Sequence, residues 1–101
     1  MIIYNVTVKV DWAIHEEWLR WMKEEHIPDV LSTDLFIENA IYRLMDQEEL
    51  DGVTYAIQYK CQSINDLKLY QSKYAVGLQQ KHQEKYKDKF IAFRTVMEQI
   101  L

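Results

Sequence analysis

Cysteine, proline and glycine are nearly missing from this chain. Its 101 residues hold one cysteine, one proline and two glycines. A lone cysteine closes no internal disulfide, so the fold is expected to stand without cross-links, in a reducing cytoplasm. So little proline and glycine leaves room for few loops. A basic excess is missing too: 12 basic side chains face 16 acidic ones, a formal charge of −4. That balance gives no general electrostatic reason to bind nucleic acid. No stretch approaches the roughly 18 continuous apolar residues of a membrane helix. The opening Met1-Ile2-Ile3-Tyr4-Asn5 lacks the basic-then-apolar layout of a signal peptide. Neither nucleic acid nor a membrane is therefore expected as a partner. Hydrophobic residues, by contrast, make up 49%, enough for a packed core, which excludes a disordered chain. Aromatics reach 13%, with seven tyrosines and three tryptophans. The length suits one domain spanning 1–101.

The period of the apolar residues changes along the chain. Ile2, Tyr4, Val6, Val8 and Val10 alternate with Ile3, Asn5, Thr7 and Lys9, the mark of a strand. Asp11 is placed to cap a helix. From Ile14 on, Trp18, Leu19, Trp21, Met22 and His26 share one helical arc. Pro28 is expected to break that helix and open a short second segment over 29–31. Ser32-Thr33-Asp34 reads as a loop. A second strand is predicted over 36–45, with Asp51-Gly52 as a hairpin turn. The third strand, 53–61, alternates as cleanly as the first. Ser63 with Asp66 resembles a capping box. A helix of about 20 residues follows, striped by Leu67, Tyr70, Tyr74, Leu78 and Lys81. A final strand covers 90–97.

The order βαββαβ is the split arrangement called ferredoxin-like: an α+β fold with a four-stranded antiparallel sheet and both helices on one face. Tyr4, Val6 and Val8, with Tyr55, Ile57 and Tyr59, should meet the helices. The other face then carries Asn5, Thr7, Thr54 and Gln58, with Lys9 and Lys60 only near strand ends. A sheet face so poor in charge suits a wet contact with a second copy, so a homodimer is expected through these four residues. An open face of modest polarity is the alternative.

Several segments carry a resemblance. Ile2-Ile3-Tyr4-Asn5-Val6-Thr7-Val8, Trp18-Leu19-Arg20-Trp21-Met22, His26-Ile27-Pro28-Asp29-Val30-Leu31, Thr54-Tyr55-Ala56-Ile57-Gln58-Tyr59 and Phe93-Arg94-Thr95 together resemble a bacterial family catalogued only as a domain of unknown function. The chain as a whole is similar to the dimeric α/β-barrel superfamily, which includes cofactor-free monooxygenases of antibiotic biosynthesis and haem-degrading monooxygenases. The resemblance implies the fold and dimerisation but brings no activity of its own. The haem-degrading members use an Asn on the first strand with a Trp and a His on the second helix. Here Asn5 matches, Tyr70 stands where Trp would be, and His82 comes late. Haem chemistry is not expected.

Among groups that could carry chemistry, His15 and His26 lie roughly 16 Å apart at helical rise, too far to share one ion. His82 sits at the edge of its stripe. Neither a metal nor another cofactor is expected. His26 stands before the expected helix break, where it either caps backbone groups or serves as a pocket group. Ser32, Ser63 and Ser72 lack a glycine elbow or a base, and no glycine-rich phosphate loop exists. Cys61 reads as a small buried side chain. The aromatic layer is the best lead: Trp18, Trp21, His26, Tyr55, Tyr59, Tyr70, Tyr74 and Arg94 form either a hydrogen-bonded core or the wall of a cleft for a small planar ligand. In the resembling superfamily, ligands often sit between helices and sheet. Gly77 would permit close approach there. Glu38 is the candidate partner for an inward Arg94. Two functions thus stand open: a non-catalytic dimeric module, or a ligand-binding, oxygenase-like protein.

Overall fold

Alternating apolar residues build the strands, and a computed structural model describes all of residues 1–101. Strands β1 (Ile2–Asp11), β2 (Glu38–Arg43), β3 (Gly52–Cys61) and β4 (Phe90–Glu98) form one sheet in the order β2-β3-β1-β4. All three pairings are antiparallel, with Val6 opposite Ile57 on one side and Arg94 on the other. The two strands with the cleanest alternation are the central ones, as the ferredoxin-like arrangement requires. The first helical arm comprises α1 (His15–Trp21), a π-turn (Met22–His26) and α2 (Ile27–Leu31). The second comprises α3 (Ile64–Tyr70), a π-turn (Gln71–Ala75) and α4 (Val76–Lys85). Both arms cover one sheet face, where Tyr4, Val8, Tyr55, Ile57 and Tyr59 are buried against Trp18, Met22, Leu67 and Tyr70.

The two π-turns explain the main departures from the expected helices. A π-turn inserts one extra residue, so the buried face resumes five positions later rather than four. Met22 is followed by buried Ile27, and Tyr70 by buried Ala75. The wide first turn also accommodates Pro28, so the arm runs through it instead of breaking. His26 therefore lies inside a continuous helical arm and makes no capping bond. In the second arm, the extra residue carries the buried face from Tyr74, which is half-buried, onto His82, which is buried.

Asp11 caps a 3-10 turn (Trp12–Ile14) that leads into α1, its Oδ1 accepting from Ala13 N–H at 2.8 Å, and Ser63 caps α3, its Oγ accepting from Asp66 N–H at 3.2 Å without the reciprocal bond of a full capping box. Each arm ends near an aspartate with positive φ, Asp34 at 63° and Asp88 at 64°, a position usually left to glycine.

Three local expectations are corrected. The second strand spans 38–43, not 36–45, and Phe36 turns into the core, 4.9 Å from the Tyr70 ring and 5.3 Å from that of Tyr59. Asp51-Gly52 is not a two-residue hairpin turn, for Gly52 lacks positive φ and belongs to β3. Glycine is needed there because a Cβ would collide with the Val10 carbonyl oxygen on β1. At Gly77, a Cβ would meet nothing within 4 Å, so this glycine serves no close packing.

Candidate functional site

The site grows from the π-turn of the second arm. By turning His82 inward, it sets that ring face to face with Phe90 of β4, 3.9 Å between centroids and 1° between planes. His82 Nε2 accepts the indole N–H of Trp18 at 2.9 Å. This bond fixes the neutral tautomer with the proton on Nδ1. His26 lies 5.4 Å from His82, ring to ring, and Trp21 stacks at an angle on both, 5.0 and 5.4 Å away. Burial holds both imidazoles neutral. His26 is lowered to about 4, by desolvation above all, with Arg94 and Lys81 adding to it and Asp29 opposing. His82 is lowered to about 3, by desolvation first, then by His26 and Arg94.

These rings adjoin a small cavity between the arms and the sheet. Tyr4, Tyr59 and Tyr70 from the aromatic layer, with His26, His82 and Arg94, form part of its wall. Its volume is about 20 Å³, room for roughly one water. The hydroxyls of Tyr4, Tyr59 and Tyr70 make no hydrogen bond to protein; the tyrosine hydroxyl that does is that of Tyr55, 2.6 Å from His15 Nε2. Burial pushes the Tyr59 and Tyr70 hydroxyls well above the ordinary phenol range. Gln79, His82 and Arg94 are shared with a second, open groove of about 340 Å³ between α4 and β4. Val76, Phe90 and Ala92 give that groove its apolar surface, and Gln80 and Gln83 add amides.

The eight residues of the expected cleft do not stay together. His26, Tyr59, Tyr70 and Arg94 line the small cavity. Trp18 is fully buried behind His82, and Trp21 flanks both histidines. Tyr55 packs on the other side of Trp18, 5.5 Å ring to ring, with its hydroxyl on His15, and Tyr74 lies along the arm, stacked on Tyr70 at 6.5 Å. Glu38 is not the partner of Arg94: it pairs with Lys60 at 3.0 Å on the outer face, and Arg94 makes no salt bridge. Sequence reading did not single out Phe90 or Gln79 as site residues, and it set His82 aside. The five-residue spacing from Tyr70 to Ala75 was the signal for the shifted face. No group of three or more His, Cys, Asp or Glu gathers in metal-binding geometry.

On the opposite face, Asn5 is flanked by Gln58 and Thr95, and its amide donates to Thr7 Oγ1 at 3.0 Å. Thr7 lies between Ala56 and Phe93, and Thr54 opposite Lys9. Nothing in the chain covers Ile91, Phe93 and Tyr42 beside them, which are 73%, 61% and 54% exposed.

Fold and site together define a ferredoxin-like α+β protein with an aromatic, histidine-bearing layer between helices and sheet. The chain belongs to the family described as Domain of unknown function (DUF4286), which matches residues 1–100. Similar solved structures share its fold. One, from Nitrosomonas europaea and assigned as an antibiotic biosynthesis monooxygenase, has 9% identity and a TM-score of 0.71 over 100% of both chains. A dimeric ferredoxin-like protein from an uncultured marine organism has 10% identity and a TM-score of 0.66, over 100% of this chain and 96% of that one. A substituted form of MhuD, with two manganese protoporphyrin IX molecules per active site, has 12% identity and a TM-score of 0.69, over 100% and 96%. At such identities the likeness concerns the fold alone. No curated protein matches the sequence. The residues here do not fit a porphyrin: Asn5 faces away from the histidines, His82 Nε2 is held by Trp18, and the enclosed space is about 20 Å³.

Proposed function

We propose that this protein is a homodimeric module that binds a small molecule between its second helical arm and β4, without catalysing a reaction on it. The observation that carries the reading is a convergence of polar groups without protein partners. The Tyr59 and Tyr70 hydroxyls and Arg94 meet His26 and His82 around one small cavity, which shares Gln79, His82 and Arg94 with an open groove. Ligand sites are typically apolar clefts of about 300–1,000 Å³ with a few such groups, and the groove falls within that range. Catalysis is disfavoured by the imidazoles themselves. A general base works best with a pKa near the operating pH, whereas these are lowered to about 4 and 3.

Dimerisation has separate support. The outer sheet face joins exposed Ile91, Phe93 and Tyr42 to half-buried Thr7 and Gln58, while Asn5 and Thr54 are already buried within the chain at 8% and 7% exposure. An exposed apolar patch around hydrogen-bonding groups fits a surface that meets its own copy.

Titration with a panel of planar small molecules, followed by the fluorescence of Trp18 and Trp21, tests the binding reading. A saturable change is expected for at least one compound, weakened in Tyr59→Phe while the melting temperature moves little, since that hydroxyl bonds to no protein group. A flat response across the panel, together with a loss of about 1 kcal/mol in Tyr59→Phe, would mark the layer as core and nothing more.

A further inference from the structure

Resting on the binding reading above, we infer that the groove selects a small organic monoanion, a carboxylate on an apolar body, through Arg94. The register of β4 places Arg94 on the same side of the sheet as Val6 and Ile57. There it lines both the cavity and the groove. Arg94 is itself exposed, so in the free protein water solvates its guanidinium and no internal carboxylate ties it down. Both salt bridges of the chain lie elsewhere, Arg43 with Glu49 and Lys60 with Glu38. No acidic residue lines the groove: its polar residues besides His82 and Arg94 are Gln79, Gln80 and Gln83. In a chain of net charge −4, this is a local cationic spot with no internal counter-charge.

The lining also sets the size of the charge. Arg94 is the only permanent cation of the groove, and both neighbouring histidines are neutral at physiological pH. One guanidinium presents a fork matched to one carboxylate. A phosphate dianion would need a second cation or a cradle of backbone N–H groups, and neither lines the groove. Val76, Phe90 and Ala92 offer apolar contact for the body of the ligand, and the glutamine amides offer hydrogen bonds.

The test uses two matched probes, trans-cinnamate and trans-cinnamamide, which differ in charge at one end. Both are titrated into the full chain while the Trp18 indole N–H and the Arg94 Nε–H are followed by nuclear magnetic resonance. Cinnamate is expected to shift both signals and to bind about tenfold more tightly than the amide, the scale of a charge-assisted pair. Arg94→Gln should erase the preference and Arg94→Lys should keep part of it, each variant's fold being checked by its melting curve. Phenyl phosphate is expected to bind no better than cinnamate. Equal binding of acid and amide would overturn the monoanion while leaving a binding site in place. Silence from both probes at millimolar concentration, with the wild-type fold intact, would overturn the monoanion and the binding reading together.

Discussion

His82 concentrates the chemistry of this molecule in one ring. It accepts from Trp18, stacks on Phe90 and stays neutral because burial disfavours its charged form. The linkage to pH follows. Its pKa falls from 6.5 in the unfolded chain to about 3 in the fold, so below pH 6.5 the unfolded state binds more protons. Stability is complete above pH 6.5 and drains as pH falls towards 3, at up to about 1.4 kcal/mol per pH unit for such a group. His26 adds a second loss between 6.5 and about 4. Denaturant unfolding from pH 7 to pH 4 should show this decline. In His82→Gln, whose amide oxygen still accepts from Trp18 but does not titrate, the slope should be distinctly shallower. An unchanged slope would mean that His82 is not buried neutral. From the sequence, the inward histidine was not legible, because a regular helix places position 82 at the stripe's edge. Arg94 was legible as a cation on the helix-facing side of β4, but not that it stays exposed there without a salt bridge. Pairing depends on the strand register that sets Glu38 beside Lys60 instead.

Among the elements, the two central strands are the most legible in the sequence. Period-two alternation over ten residues in β1 and β3 marks both their existence and their buried face. The first helix cap was equally plain, because Asp11 directly precedes a change of period. The π-turns are not legible in the sequence, since a spacing of five falls outside the three-and-four period of a regular helix. The same spacing lets the arm run through Pro28 and leaves Tyr74 of the stripe half-buried. Gly77 follows the second π-turn, is exposed, and has open space where a Cβ would sit. It carries the backbone-entropy cost of glycine in a helix with no packing reason in return. Gly77→Ala should therefore stabilise the chain by about 0.5–1 kcal/mol, measured by urea unfolding. Destabilisation there would mean that some neighbour needs the missing Cβ, which no part of this chain does.

At the scale of the whole molecule, one sheet has two unlike faces. The inner face holds the arms and the site. The outer face leaves Ile91 and Phe93 of β4 uncovered beside the polar centre of β1 and β3. Composition had pointed to that difference, because a face with charge only near its ends is poorly suited to water. The exposed rings at its rim came from β4 and β2, strands whose pairing partners the sequence leaves open. If the outer face joins two copies, Thr7→Asp combined with Gln58→Glu brings like charges together across it. Sedimentation velocity at micromolar concentration should then show the mass of two chains for the wild type and of one chain for the variant. A monomeric wild type, or a variant that still dimerises, would count against the interface. A crystal structure of the untagged protein purified from its native cell reaches the central claim most directly. The expected result is organic density between the second arm and β4, touching His82 and Arg94. A closed aromatic layer, with water alone in the cavity and the groove, would contradict it.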